Sequence, residues 1–251
     1  MIGTTRREYR NSHRVTSVLS DALMNAGGSC NKTTVIETKR RSSWSRRESA
    51  RIARWVSIAL VPPVPASIAC TLYVYHFEHG SLQHQLFVLL LAILASGVLQ
   101  IGYVLLLRRR KLVSAYDVPD RAQRTKPYLV SAFISLTGAV ALFAADASIM
   151  VYGMLWCYAV NVLLLAAVNR YWKMSAHMMG LAGPLVIIVP LLGSVSLAAI
   201  PVLALLAWAR VHIRAHTWPQ VLAGTMAGIL LGALQLFLLL TYGNTILSNA
   251  L

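Results

Sequence analysis

The stretch FVLLLAILASGVLQIGYVLLLRRRK, residues 87–111, decides the fold. Its first 21 residues carry no charge and one side-chain amide, Gln100. A helix that crosses a bilayer needs about 20 consecutive apolar residues to span a hydrocarbon core of about 30 Å. The run then stops on Arg108-Arg109-Arg110-Lys111, as helices do where apolar chain gives way to a charged membrane surface. Working outward, spans fall at 54–75, 85–107, 128–146, 149–169, 178–193, 196–213 and 219–241. The expected fold is an all-α polytopic membrane bundle of about six to seven transmembrane helices. Pro62, Pro63 and Pro65 predict a kinked or broken first span. Gly193-Ser194-Val195-Ser196 predicts a tight hairpin between the fifth and sixth.

Composition agrees. Of 251 residues, 57% are hydrophobic and 12% charged, against roughly 25% charged in soluble domains. The formal net charge is +15, and 12 of the 23 Lys and Arg lie within residues 1–54. This divides the chain into a basic tail, residues 1–52, and a transmembrane domain, residues 53–251. The tail lacks hydrophobic periodicity and is rich in Ser, Thr and Arg, the composition of a disordered segment. A transit peptide and a start at Met24 are the other readings of it. Nucleic acid is not the expected partner of the positive charge, because the basic residues flank apolar spans, where topology and anionic lipid account for them. Cys30, Cys70 and Cys157 form neither a disulfide framework nor a metal-ligand spacing.

Seven spans sort the loops into two sets. Every Lys and Arg falls on or near the side of the tail, and the loops opposite, 76–84, 147–148, 194–195 and 242–251, hold none. Positive-inside bias places the tail and basic loops in the cytoplasm of a multi-pass cell-membrane protein.

Three polar clusters end on that side: Asp117 to Tyr128, Lys173 to His177, and Arg210 to His216. A charge inside a spanning helix costs on the order of 3 kcal/mol on insertion scales, so Arg210, in LALLAWARVHIRAH, calls for a function. The clusters supply cations and histidines but few carboxylates. Two-metal or paired-carboxylate hydrolysis is therefore disfavoured, and no metal or cofactor is expected. Guanidinium forks suit phosphate oxygens. One histidine can attack phosphorus while another protonates the leaving oxygen. On the opposite side, His76, Glu78, His79 and His84 match no zinc spacing and are expected in a solvated loop. Trp156, Trp172, Trp208 and Trp218 fit interfacial anchors.

The three clusters resemble the motif blocks of the type 2 phosphatidic acid phosphatase superfamily of membrane lipid phosphatases. Its Ser-Arg-x5-His-x3-Asp block matches Ala209-Arg210-x5-His216-x3-Gln220, and its Pro-Ser-Gly-His block matches Met174-Ser175-Ala176-His177. Its Lys-x6-Arg-Pro block is matched loosely by Asp120-Arg121-x2-Arg124-x2-Pro127, with Lys126 before the proline. The resemblance covers roughly residues 85–240 of the chain. It implies that His216 is the nucleophile forming a phosphohistidine and His177 the general acid. It also implies that Arg210, Arg124 and Lys126 clamp the phosphate oxygens, with Ser175 adding a hydrogen bond. The substrate it implies is a membrane lipid phosphate or prenyl diphosphate. The chain departs from the pattern at Ala209, Met174, Ala176 and Gln220. Gln220 can hold an imidazole tautomer but cannot offset an imidazolium charge. A member of the same scaffold that binds phospholipid without turnover is the alternative this implies.

Overall fold

In the computed structural model, residues 47–113 and 122–249 are described, with side chains up to residue 241. The basic tail lies outside the described residues as far as position 46, and its last residues form the first turns of a helix. That helix, α1, is Arg47–Ala59; α2 is Pro63–Phe77 and α3 Leu82–Arg109. They are followed by α4 (Thr125–Ala144), α5 (Ile149–Asn169), α6 (Ala176–Leu192), α7 (Ile200–His212) and α8 (Trp218–Asn249). The described residues include no strand. A chain this apolar satisfies its backbone internally when no water is at hand, and helices do so within one segment.

Five helical stretches are long and apolar enough to cross a membrane, and six when α1 and α2 count as one broken span. The break bends the pair by 43° at the prolines expected to interrupt it. A second irregularity was not legible in sequence: α3 widens to a π turn over Leu94–Val98. A π turn disturbs the regular i−4 ladder, and here the Gln100 amide donates to the Ala95 carbonyl at 2.9 Å. The stretch Ala176–His212 runs through 37 residues, but it doubles back. Met178 and Leu181 near the start of α6 share a cluster with Leu206 in the middle of α7 and Val221 at the start of α8. The reversal is the 3₁₀ segment Gly193–Ala199, entered through Gly193 at φ +53°, where glycine alone avoids a Cβ clash. These two arms are the fifth and sixth spans of the sequence. At about 1.5 Å per residue, α7 alone is only about 20 Å long.

Large apolar side chains point outward along the spans, among them Phe133, Phe143 and Phe237, each more than 60% exposed. Water would penalise such a surface, whereas lipid matches it. Inside, the half of the bundle remote from the basic loops is closed by a cluster that includes Cys70, Tyr73, Val88, Leu142, Val151 and Leu155. α6 and α8 meet backbone to backbone. A Cβ added at Gly224, Gly228 or Gly232 would lie 2.5, 2.8 or 3.0 Å from the carbonyl oxygens of Ser175, Met179 and Gly183. Small residues at intervals of four let two membrane helices touch along their backbones. The joint carries the start of α8 against the start of α6, where the Ser175 N–H donates to the Gln220 carbonyl at 3.2 Å. Two of the polar clusters are thereby brought together.

At the remote end, Glu78 is buried rather than solvated. It accepts the Ser148 N–H at the head of α5 at 2.9 Å and pairs with His84 at 3.1 Å. A carboxylate at a helix N-terminus meets the positive end of its dipole. Among the described residues there is no group of three or more potential metal ligands.

Candidate active site

The segment from Arg210 to Gln220 is a helix end, a turn and a helix start. The Arg210 carbonyl accepts the Ala215 N–H at 3.1 Å, and the Val211 carbonyl accepts the Arg214 N–H at 2.9 Å. Arg214 sits in the left-handed region at φ +56°. These two bonds with a left-handed residue between them are a Schellman turn. It reverses the chain so that His216, whose own N–H also donates to the Arg210 carbonyl at 3.2 Å, comes to rest over the helix end that carries Arg210. The five-residue spacing between arginine and histidine is the span of that turn.

The next helix starts with the glutamine half of a capping box. The Gln220 Oε1 accepts the Thr217 N–H at 3.2 Å, as a glutamine three residues after a threonine cap does. The same oxygen accepts from His216 Nδ1 at 3.1 Å. An atom that receives a backbone N–H is the amide oxygen, and an oxygen bonded to a ring nitrogen requires the proton on that nitrogen. His216 in its neutral form therefore holds its proton on Nδ1 and keeps the lone pair on Nε2. It also stays neutral. Its pKa is pushed down to about 3, first by burial and then by the charges of Arg210, Arg124 and Lys173, with the Gln220 bond acting weakly in the opposite direction.

His177 stands in the first turn of α6, behind the cap Ser175, whose hydroxyl accepts the Met178 N–H at 3.5 Å. Its Nε2 donates to the backbone carbonyl of Ser57 at 3.2 Å. Arg124 ends the 3₁₀ turn Ala122–Arg124 and leads into α4. The side chains of Arg124, His177, Arg210 and His216 are buried, Arg210 completely. All four line one cavity of about 590 Å³. The cavity continues between α3, α4, α5 and α6 along an apolar wall that includes Val104, Ile134, Val162 and Met179. From Arg124 to Ile134 is about 15 Å at 1.5 Å per residue, about half the depth of a hydrocarbon core. The cavity is thus charged at one end and apolar along its length.

Four residues are placed differently from that group. Lys126 is exposed and absent from the cavity wall. Ser175 is buried and caps α6 without lining the cavity. Arg214 is exposed, and His212 stacks on Trp208 with ring centres 4.9 Å apart, away from the cavity. Lys173, in the loop before α6, acts electrostatically on His216 where the sequence pattern singled out Lys126. Its place two residues before Ser175 was the only sign of this. The dual role of Gln220 was readable in Thr217-Trp218-Pro219-Gln220, which has the capping-box spacing. Comparisons of the chain with models of protein families, with curated proteins and with solved structures find nothing that matches.

Proposed function

We propose that this chain is an integral membrane phosphatase, a divergent member of the type 2 phosphatidic acid phosphatase superfamily, that hydrolyses a lipid phosphate or prenyl diphosphate through a phosphohistidine. The observation that carries the reading is the convergence of Arg124, His177, Arg210 and His216 on one amphipathic cavity. In this mechanism the Nε2 lone pair of His216 attacks phosphorus. Arg210 and Arg124 hold the phosphoryl oxygens by charge-assisted hydrogen bonds. His177 gives a proton to the leaving oxygen as its bond to phosphorus breaks. A water molecule then attacks the phosphohistidine, His177 takes the proton of that water, and phosphate leaves His216. The basic loops, and with them the site, face the cytoplasm in this reading, in accord with the charge bias of the loops.

The test is phosphate release by the purified protein in nanodiscs, from phosphatidic acid and from a prenyl diphosphate, with an alkaline denaturing quench to trap an acid-labile, base-stable phosphoprotein. Turnover and a trapped phosphohistidine that both disappear in His216→Ala support the reading. Equal release by both proteins overturns it. A second reading, a phospholipid-binding member without turnover, is favoured by the neutral Gln220 behind His216. It predicts saturable lipid binding that depends on Arg210, with no phosphate released.

A further inference from the structure

The end of α1 is set by chemistry. Its last i−4 bond is Leu60 N–H to Val56 O at 3.0 Å. Val61 precedes a proline and is steered away from helical angles. Pro62 and Pro63 have no N–H to offer the carbonyls behind them. A helix ended in this way presents carbonyl oxygens that carry the negative end of its dipole. One of them, Ser57 O, meets the buried His177 Nε2 at 3.2 Å. The break is seated next to that contact by Gly180, three residues beyond His177 on α6. A Cβ at Gly180 would lie 2.6 Å from Pro62 Cβ and 3.1 Å from Pro62 Cα, so a larger residue there displaces the break.

We propose that the Ser57 carbonyl is the positioning group of His177, which makes the broken first span, outside the segment with phosphatase-like blocks, part of the catalytic apparatus. The proposal rests on the phosphatase reading. A carbonyl oxygen has no proton to give, so this contact keeps a proton on Nε2 in every state of the ring. Exchange with substrate then runs through Nδ1. As the bond from phosphorus to the leaving oxygen breaks and the His216 Nε2–P bond forms, the Nδ1 proton moves to the leaving oxygen. His177 remains as the neutral Nε2–H tautomer. In the second half, Nδ1 takes a proton from the attacking water while the His216–P bond breaks and phosphate departs.

The experiment uses the full chain in nanodiscs, with ¹⁵N-histidine NMR to read the His177 tautomer and steady-state kinetics on a lipid phosphate. The wild type is expected to show His177 as Nε2–H. Gly180→Ala is expected to lose that signature and to lower kcat by about tenfold or more, given that general acid–base catalysis contributes about 10²–10⁴. KM should change less than kcat, because Gly180 lines the cavity but the groups that hold phosphate are untouched. Replacing both Pro62 and Pro63 by Ala releases Val61 to turn helical and give its N–H to the Ser57 carbonyl, and should reproduce both effects. Pro190→Ala, in α6 away from the cavity, should reproduce neither. A wild-type His177 protonated at Nδ1 alone, or a Gly180→Ala protein with unchanged tautomer and kcat, overturns the proposal. If the wild type releases no phosphate, the phosphatase reading fails, and the tautomer still decides the Ser57 contact.

Discussion

Replacing Gln220 by Glu changes one atom type and one charge behind the nucleophile. The chain length is kept, so the oxygen that accepts from His216 Nδ1 at 3.1 Å and from Thr217 N–H at 3.2 Å stays in place, and the capping box tolerates glutamate as well as glutamine. The new element is a full negative charge beside a ring that becomes positive during attack. Two unit charges 4 Å apart interact by about 4 kcal/mol at an effective dielectric of 20. At 1.36 kcal/mol for each tenfold step, that moves the His216 pKa from about 3 to roughly 6. If half of the positive charge has developed in the transition state, about 2 kcal/mol is gained, or roughly 30-fold in kcat. The assay is initial phosphate release from a lipid phosphate between pH 4 and pH 9. Gln220→Glu should raise kcat roughly 30-fold, and the acidic limb of kcat/KM should appear near pH 6 where the wild type shows none. Gln220→Asp, one methylene shorter, should gain less because it withdraws from Nδ1. An unchanged kcat together with an unchanged acidic limb would refute the coupling of Gln220 to His216.

Stability should depend on pH through the same histidine. Its folded pKa of about 3 lies below the unfolded value of about 6.5, so the unfolded chain takes up the proton first. The stabilisation is complete above about pH 6.5 and declines by about 3 kcal/mol as pH falls to 4; thermal unfolding in detergent should show this slope, and His216→Ala should flatten it. Gly228→Ala should lower stability by about 1–3 kcal/mol, since its Cβ would meet the Met179 carbonyl at 2.8 Å. Gly102→Ala, with nothing within 4 Å, should be neutral or stabilising, and the two are compared by midpoints of thermal unfolding. Lys173→Ala should weaken inhibition by inorganic vanadate about threefold to fivefold, the order of one charge acting on the site without lining it. Lys126→Ala, at an exposed position, should change it less than about twofold, and equal effects would contradict the placement of the two lysines.

The architecture was legible in the sequence because a bilayer imposes a length and a polarity on every span. Residues 87–107 could hardly be read otherwise, and neither could the break at Pro62-Pro63, where two consecutive residues lack a donor. The spacing of Arg210 and His216 was visible too, because a Schellman turn is local and needs a fixed number of residues. The irregular part of α3 was hidden. Nothing in Leu94-Ala95-Ser96-Gly97-Val98 distinguishes a π turn from an α turn until Gln100 and the packing of neighbouring helices are in place.

What the sequence determined by itself is whatever is encoded within about one helical turn or by the thickness of the membrane: spans, breaks, caps and the register of the histidine behind its arginine. Which lysine acts on His216, which carbonyl receives His177, and how the three clusters come to share a cavity were decided only in three dimensions. The reason is that loops such as 170–175 have no periodicity to place their side chains. Their positions are dictated by backbone contacts between distant segments, above all the glycine-lined joint of α6 and α8 and the proline break seated on Gly180.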